Sequence, residues 1–270
     1  MTGGSGGHRP LTSPGHAPGA TWPSGVRRVI LDEVDSTNAE AARRAAAGET
    51  GPLWILARRQ TAGRGRGARA WDVPAGNLAA SYLFRPDCSP AEAALYSFTA
   101  GLAVAGLAAG LGASWQGGAL KWPNDVLLNG RKLSGVLLES GGGRERVGWL
   151  VIGVGVNLAI LPDAASLRPG AVAPTSITAE GGREVTPEEA LTHLALNLER
   201  FLDIHAREGF GAIRAHWLAQ AARLGQVIEA RLAGRTVTGI FEDVDATGAL
   251  VLRTPTGREE ITAADVFFPG

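Results

Sequence analysis

The first regular pattern along the chain is VRRVILDEV from Val26, where β-branched residues alternate in part with charges, and it predicts a strand. DSTNAEAARRAAAG follows as an alanine-rich helix, with Thr37 and Glu40 at capping-box spacing and Gly48 as its stop. PLWILA from Pro52 and NLAASYLF from Asn77 predict two further strands. Pro90 to about Leu111 predicts a long helix with proline in its first turn. DVLLN and LSGVLLES flank Asn129-Gly130, a dipeptide that favours a tight hairpin, and GWLVIGVGVNL is apolar enough for a fully buried strand. Helical spacing returns in ALTHLALNLERFLDIHA from Ala190 and in GAIRAHWLAQA. From about Leu224 the period changes to short strands separated by glycine turns. That pattern fits a small all-β barrel of roughly 45 residues appended to an α/β body. The expected division is a flexible Gly/Pro/Ser-rich leader over 1–25, a catalytic-sized domain over 26–222 and the β module over 223–270.

Composition narrows the reading. At 45% hydrophobic and 19% charged residues, a chain of 270 residues can bury a core. Lys+Arg and Asp+Glu both number 26, a balance that argues against a protein whose main work is gripping nucleic-acid phosphates. With Cys88 as the single cysteine, neither an internal disulfide nor a thiolate metal cluster can form, and the cytoplasm is the expected compartment. The most apolar segment, FTAGLAVAGLAAGLGA from Phe98, is shorter than the roughly 20 residues a bilayer needs and reads as a buried helix, with no membrane partner.

The chemistry is concentrated in a few stretches. RRQTAGRGRGARAW, Arg58 to Trp71, alternates Arg64 and Arg66 with glycines, so backbone and guanidinium groups can approach one ligand closely. Arginine's planar fork suits carboxylate and phosphate. The same composition suits a solvated loop or a disordered nucleic-acid-contacting tract, although such tracts usually repeat and are not set between two strands. In LKWPNDVLLNGRKLSGVLLE, Leu120 to Glu139, Lys121 and Trp122 stand on a bend before Pro123, and Asn124 and Asp125 open the next strand. Lys132 follows the hairpin tip. One carboxylate among several cations suggests Mg²⁺ with phosphates, while an ordinary charged hairpin would read the same way. GVGVNL, Gly153 to Leu158, ends a strand with Asn157 and is no dinucleotide fingerprint. His193, His205 and His216 are spaced too widely for a metal motif and read as packing or surface residues. No Walker, H-E-x-x-H or G-x-S-x-G motif is present.

Taken together, DSTN at Asp35–Asn38, RQTAGRGRGARAW at Arg59–Trp71, KWPNDVLLNGRKLSGVLLE at Lys121–Glu139 and GVGVNL at Gly153–Leu158 resemble the biotin–protein ligases in order and spacing, from about Arg27 to the C-terminus. The resemblance implies an α+β fold, a class II aminoacyl-tRNA-synthetase-like catalytic domain of mixed sheet and flanking helices, with a small SH3-like barrel. It implies ATP-dependent formation of biotinyl-5′-adenylate and transfer of biotin to a lysine of a biotin carboxyl carrier domain of acetyl-CoA carboxylase or a related carboxylase. ATP, Mg²⁺ and biotin are the implied cofactor and substrates. By the same resemblance, Ser36, Thr37, Asn38, Gln60, Arg64, Gly65, Arg66, Lys132 and Gly135 hold biotin, and Arg69, Trp71 and Asn157 hold the nucleotide. Arg66, Lys132 and Asp125 carry the chemistry, with Asp125 as a candidate Mg²⁺ ligand. A free adenylate hydrolyses, so the Arg/Gly loop reads as a lid over it.

The family loop usually has glycine where Ala68 stands, which restricts positive φ there. Some family members carry an N-terminal helix-turn-helix. The roughly 25 residues before the first strand are too few for one, so no sequence-specific DNA binding is expected. A homodimer is open, since sheet-to-sheet dimers occur in the family. A lipoate-type ligase and a catalytically silent biotin-binding paralogue are the alternatives.

Overall fold

In the computed structural model the described residues are 20–69, 71, 73–163 and 172–268, so most of the expected leader lies outside them. The body is a seven-stranded mixed sheet in the order β1-β2-β3-β7-β6-β5-β4. These strands are β1 (Arg27–Val34), β2 (Leu53–Gln60), β3 (Leu78–Phe84), β4 (Leu120–Lys121), β5 (Asp125–Leu128), β6 (Arg131–Gly142) and β7 (Val147–Val156). β1 and β2 are parallel, and every other neighbouring pair is antiparallel.

Alternation along β2 shows how the layers arise. Leu53 and Ile55 pack under α1 (Thr37–Ala46) with Ala41 and Ala45, while Trp54 and Leu56 face the opposite layer. That layer is built from α2 (Pro90–Gly110) and α3 (Pro187–Glu208), with α4 (Phe210–Leu218) beside them. With both faces covered, the central strands are mostly apolar, which is why no polar alternation marks them in the sequence. α2 spans 21 residues and is long and apolar enough to cross a bilayer by length and composition. It lies instead in the core, with Phe98 and Ala100 through Ala108 buried. Its Ser89–Glu92 capping box and N-terminal proline fix where it starts.

The hairpin turns at Asn129 (φ 49°) and Gly130 (φ 74°), both left-handed as a two-residue primed turn requires. β4 escaped the sequence reading because two residues carry no period. It is held by Leu127 N–H donating to Ala119 O and by main-chain bonds between Leu120 and the 220–222 segment.

A five-stranded antiparallel sheet follows in the order β11-β10-β9-β8-β12. Its strands are β8 (Val227–Leu232), β9 (Arg235–Val244), β10 (Leu250–Thr254), β11 (Gly257–Ile261) and β12 (Asp265–Phe267). It packs firmly on the body. Trp122 is buried and donates from Nε1 to Gly248 O at 3.0 Å, and Arg214 on α4 grips Asp243 and Val244 O. The indole that the sequence placed on a bend before Pro123 is therefore a joint between the two sheets.

Candidate active site

The β1–α1 turn, the Arg/Gly loop and residues of the central strands β3, β6 and β7 converge on a cavity of about 500 Å³, within the range of small-molecule sites. Ser36, Thr37, Asn38, Gln60, Arg64, Gly65, Arg66, Arg69, Trp71, Asp125, Lys132, Gly135 and Asn157 all line it.

Its floor begins at the β1–α1 turn. The helix is capped by Ser36, whose side chain accepts from Ala39 N, and not by the Thr37–Glu40 box expected from spacing. Glu40 pairs instead with Arg43 and Arg44. Thr37, released from capping, donates from N and Oγ1 to Gln60 Oε1 at 2.8 and 3.0 Å. Asn38 donates from Nδ2 to Glu139 at 2.8 Å, and its Oδ1 lies 2.6 Å from Ser81 Oγ. A Cβ on Gly153 would stand 2.1 Å from that same Oδ1, so only glycine leaves room for the amide.

Asp35 fixes the entry to this turn. It accepts from Ser36 N at 2.8 Å and takes both forks of Arg43 at 2.9 and 2.7 Å. The Arg43 hydrogen bonds above all, and then the Ser36 N–H, hold its carboxyl down at about 2. With the folded pKa below the unfolded value of about 3.9, this contribution is present above about pH 4 and is lost as pH falls toward about 2. The pair is largely exposed, so the amount is under about 1 kcal/mol. Thermal melts of Asp35→Asn across that window should show a shallower acid loss than the wild type.

The Arg/Gly loop closes on itself through Trp71 N to Gly63 O at 2.9 Å and Gly65 N to Arg69 O at 2.7 Å. Its left-handed residue is Gly67 (φ 64°, ψ 37°), one position before Ala68. The departure from the family pattern at Ala68 therefore does not fall where positive φ is needed. Each arginine reaches a different wall: Arg64 to Glu139 at 3.1 Å, Arg66 to Asn124 Oδ1 at 3.3 Å, and Arg69 to Asp265 of β12 in a two-pronged pair. Arg66 is half-buried and forms no ion pair among the described residues. Burial lowers its pKa, but the guanidinium stays charged.

Trp71 lies on paired glycines. Gly135 and Gly155 face each other across β6 and β7, and a Cβ on Gly155 would stand 2.1 Å from Trp71 Nε1. Lys132 Nζ sits 4.9 Å from the ring centroid. The same ammonium is 2.6 Å from Asp125 Oδ1, with Lys121 Nζ 3.4 Å from Oδ2. Burial pushes the Asp125 carboxyl up, but the two ammoniums outweigh it and keep the group below its ordinary value. Burial pulls Lys121 below the usual lysine range, more strongly than Asp125 holds it up.

Asp125 is also the residue expected as a candidate Mg²⁺ ligand. Among the described residues no cluster of three His, Cys, Asp or Glu side chains could hold a cation, and both Asp125 oxygens already face ammoniums. A Mg²⁺ held by one carboxylate and substrate phosphates would need no such protein cluster. Asn157 is buried and donates to Thr175 O at 2.9 Å, which ties the segment after residue 172 to the cavity rim. His193 and His205 pack within the body, His193 near Arg183 and His205 against Tyr96 and Thr99.

Sequence reasoning missed several contributors. Ser81 is a lone hydroxyl in an apolar strand, Glu139 closes a motif without being read as part of it, and Lys121 was quoted but left out of the site. Asp265, with Val266 and Phe267, reaches the cavity only through tertiary packing.

Cavity and fold together define a ligase of the biotin/lipoate class. Residues 31–157 match the model of the Biotin/lipoate A/B protein ligase family, and residues 224–268 match that of the Biotin protein ligase C terminal domain. The chain is 49% identical over 244 residues to Biotin--[acetyl-CoA-carboxylase] ligase of Paracoccus denitrificans, covering 89% of this chain and 100% of that one. It is 32% identical over 249 residues to the protein of the same name from Mycobacterium tuberculosis, covering 90% of each. The chain belongs to the biotin protein ligase family. Two solved relatives speak for the fold. Biotin protein ligase from Aquifex aeolicus in complex with biotin and ATP has a TM-score of 0.71 at 23% identity, covering 89% of this chain and 98% of that one. The Leishmania major enzyme in complex with biotin gives 0.61 at 24%, covering 89% and 99%.

Proposed function

We propose that the chain attaches biotin to a lysine of a carboxylase's biotin carboxyl carrier domain in two steps. The biotin carboxylate attacks the α-phosphate of ATP, giving biotinyl-5′-adenylate and pyrophosphate. The lysine amine then attacks the mixed anhydride and AMP leaves. The observation that carries this reading is the gathering of Ser36–Asn38, Gln60, the loop arginines, Lys132 and Asn157 around one cavity. Its chemistry is graded, with neutral hydrogen-bonding groups at the β1–α1 end and cations toward Asp125.

In this reading Lys132 and Arg66 face the two anions that must meet, carboxylate and α-phosphate, and stabilise the charge that builds as pyrophosphate departs. Mg²⁺ enters with the triphosphate as part of the substrate. Asp125, whose pKa lies below the ordinary carboxylate value, is a weak base. Its part is to hold Lys132 and Lys121 in place and to attract the incoming ammonium, whose proton then passes to solvent. Trp71, flat over two glycines, offers a face to the nucleotide beside Arg69 and Asn157.

Arg66→Gly is expected to let adenylate escape about tenfold faster, because a half-buried guanidinium reaching the far wall is lost. Quantifying free adenylate after rapid filtration checks this. The reading as a whole is tested by ATP–pyrophosphate exchange with biotin, with lipoate and with neither. Exchange dependent on biotin supports it. Exchange with lipoate, or biotin binding without exchange, overturns it.

A further inference from the structure

The loop arginine Arg69 does not end in the cavity. Its Nη1 lies 3.1 Å from Asp265 Oδ1, and its Nη2 contacts Oδ2, a parallel two-point pairing. Both residues line the cavity, and each keeps about a third of its side chain exposed. Within the loop, Arg69 O accepts from Gly65 N at 2.7 Å, and Trp71 N closes the neck on Gly63 O, so fixing Arg69 fixes the whole turn.

Asp265 is an unusually firm anchor because it stands on a strand and not on a loop. β12 pairs with β8, placing Asp265 opposite Arg231, and Val266 is buried in the module's core. Phe267 is stacked under Arg231 at 3.8 Å, and Phe268 lies between Lys121 and Arg223 at 5.8 and 5.4 Å. The module itself is bolted to the body at Trp122–Gly248 and Arg214–Asp243. Arg69 therefore reaches across to a surface whose position relative to the cavity is set independently of the loop.

We propose that Asp265 is a positioning residue for the adenylate: it is the catch that keeps the Gly63–Arg69 turn shut, and the C-terminal module supplies it. The retention part rests on the two-step reading above; the catch itself does not. An exposed two-point ion pair of about 1 kcal/mol corresponds to roughly a fivefold change in how often the loop opens.

The test uses the full chain with Asp265→Asn, Arg69→Asp, and the exchanged pair Arg69→Asp/Asp265→Arg. Without any ligand, tryptic nicking after Arg64 and Arg66, read by mass spectrometry, should rise about fivefold in each single variant. It should return to within about twofold of wild type in the exchanged pair, with the global unfolding midpoint unmoved. With biotin and ATP, adenylate escape should rise about fivefold in Asp265→Asn, the variant that keeps Arg69 itself in place. Unchanged nicking, an exchanged pair as open as the singles, or nicking that rises only with a fall in global stability would each overturn the catch. Wild type without biotin-dependent exchange overturns the two-step reading and leaves the nicking result to decide the catch. Normal exchange with altered nicking but unaltered escape would show that the catch does not retain adenylate.

Discussion

Lys132→Ala should lower biotin-dependent ATP–pyrophosphate exchange by about a hundredfold, the scale seen when a preorganised charge is removed from a developing anion. Lys132 is placed at the junction of the site, with Asp125 at 2.6 Å on one side and the Trp71 ring at 4.9 Å on the other. Truncation has a second effect. Asp125 keeps only the more distant Lys121 at 3.4 Å, so a mostly buried carboxylate loses its closer counter-charge. Its pKa should move upward, and the variant's residual exchange should differ from wild type in its dependence on pH. Lys132→Arg separates the two effects, since it keeps the charge but changes the donor geometry. Exchange at wild-type level in Lys132→Ala would remove the residue from the chemistry.

Gly155→Val is the second large effect, and it acts through shape. An ideal Cβ at 155 already stands 2.1 Å from Trp71 Nε1 and 2.8 Å from its Cε2, so a branched side chain must evict the indole from its seat. Overpacking of this kind costs about 1–3 kcal/mol. Trp71 N is also hydrogen-bonded to Gly63, so displacing the ring pulls on the loop that carries Arg66 and Arg69. We expect the KM for ATP to rise at least about tenfold. The KM for biotin should change less, because Thr37, Asn38 and Gln60 are held by bonds that do not involve Trp71. Equal losses for both substrates would refute the assignment of Trp71 to the nucleotide end.

What the sequence made legible follows from how local each signal is. The long strands and helices are written in contiguous patterns, and the motif residues from Ser36 to Asn157 could be set in the family's order. The cap of α1 was misread because Ser36 and Thr37 are adjacent and chemically alike. Only the fold shows that Thr37 is turned toward Gln60 and Ser36 toward the helix. Ser81 was silent because a strand covered on both faces has no polar alternation for a hydroxyl to break. Asp265 was out of reach on principle. Its partner Arg69 is 196 residues away, and nothing in ADVFFPG marks a contact.

The orientation of the Gln60 amide has a consequence for substrate choice. A main-chain N–H can only donate, so Thr37 N at 2.8 Å requires the oxygen of Gln60 to face it, and the –NH₂ of this cavity-lining residue is left to donate elsewhere. Where that –NH₂ meets the guest, it offers a proton and asks for a carbonyl-like oxygen, which a cyclic urea presents and a disulfide ring does not. Discrimination built on an unanswered donor is steep, because the wrong guest strips water from the amide and returns nothing. The vitamin accepted by the protein would thus be written into one backbone hydrogen at the start of a ten-residue helix.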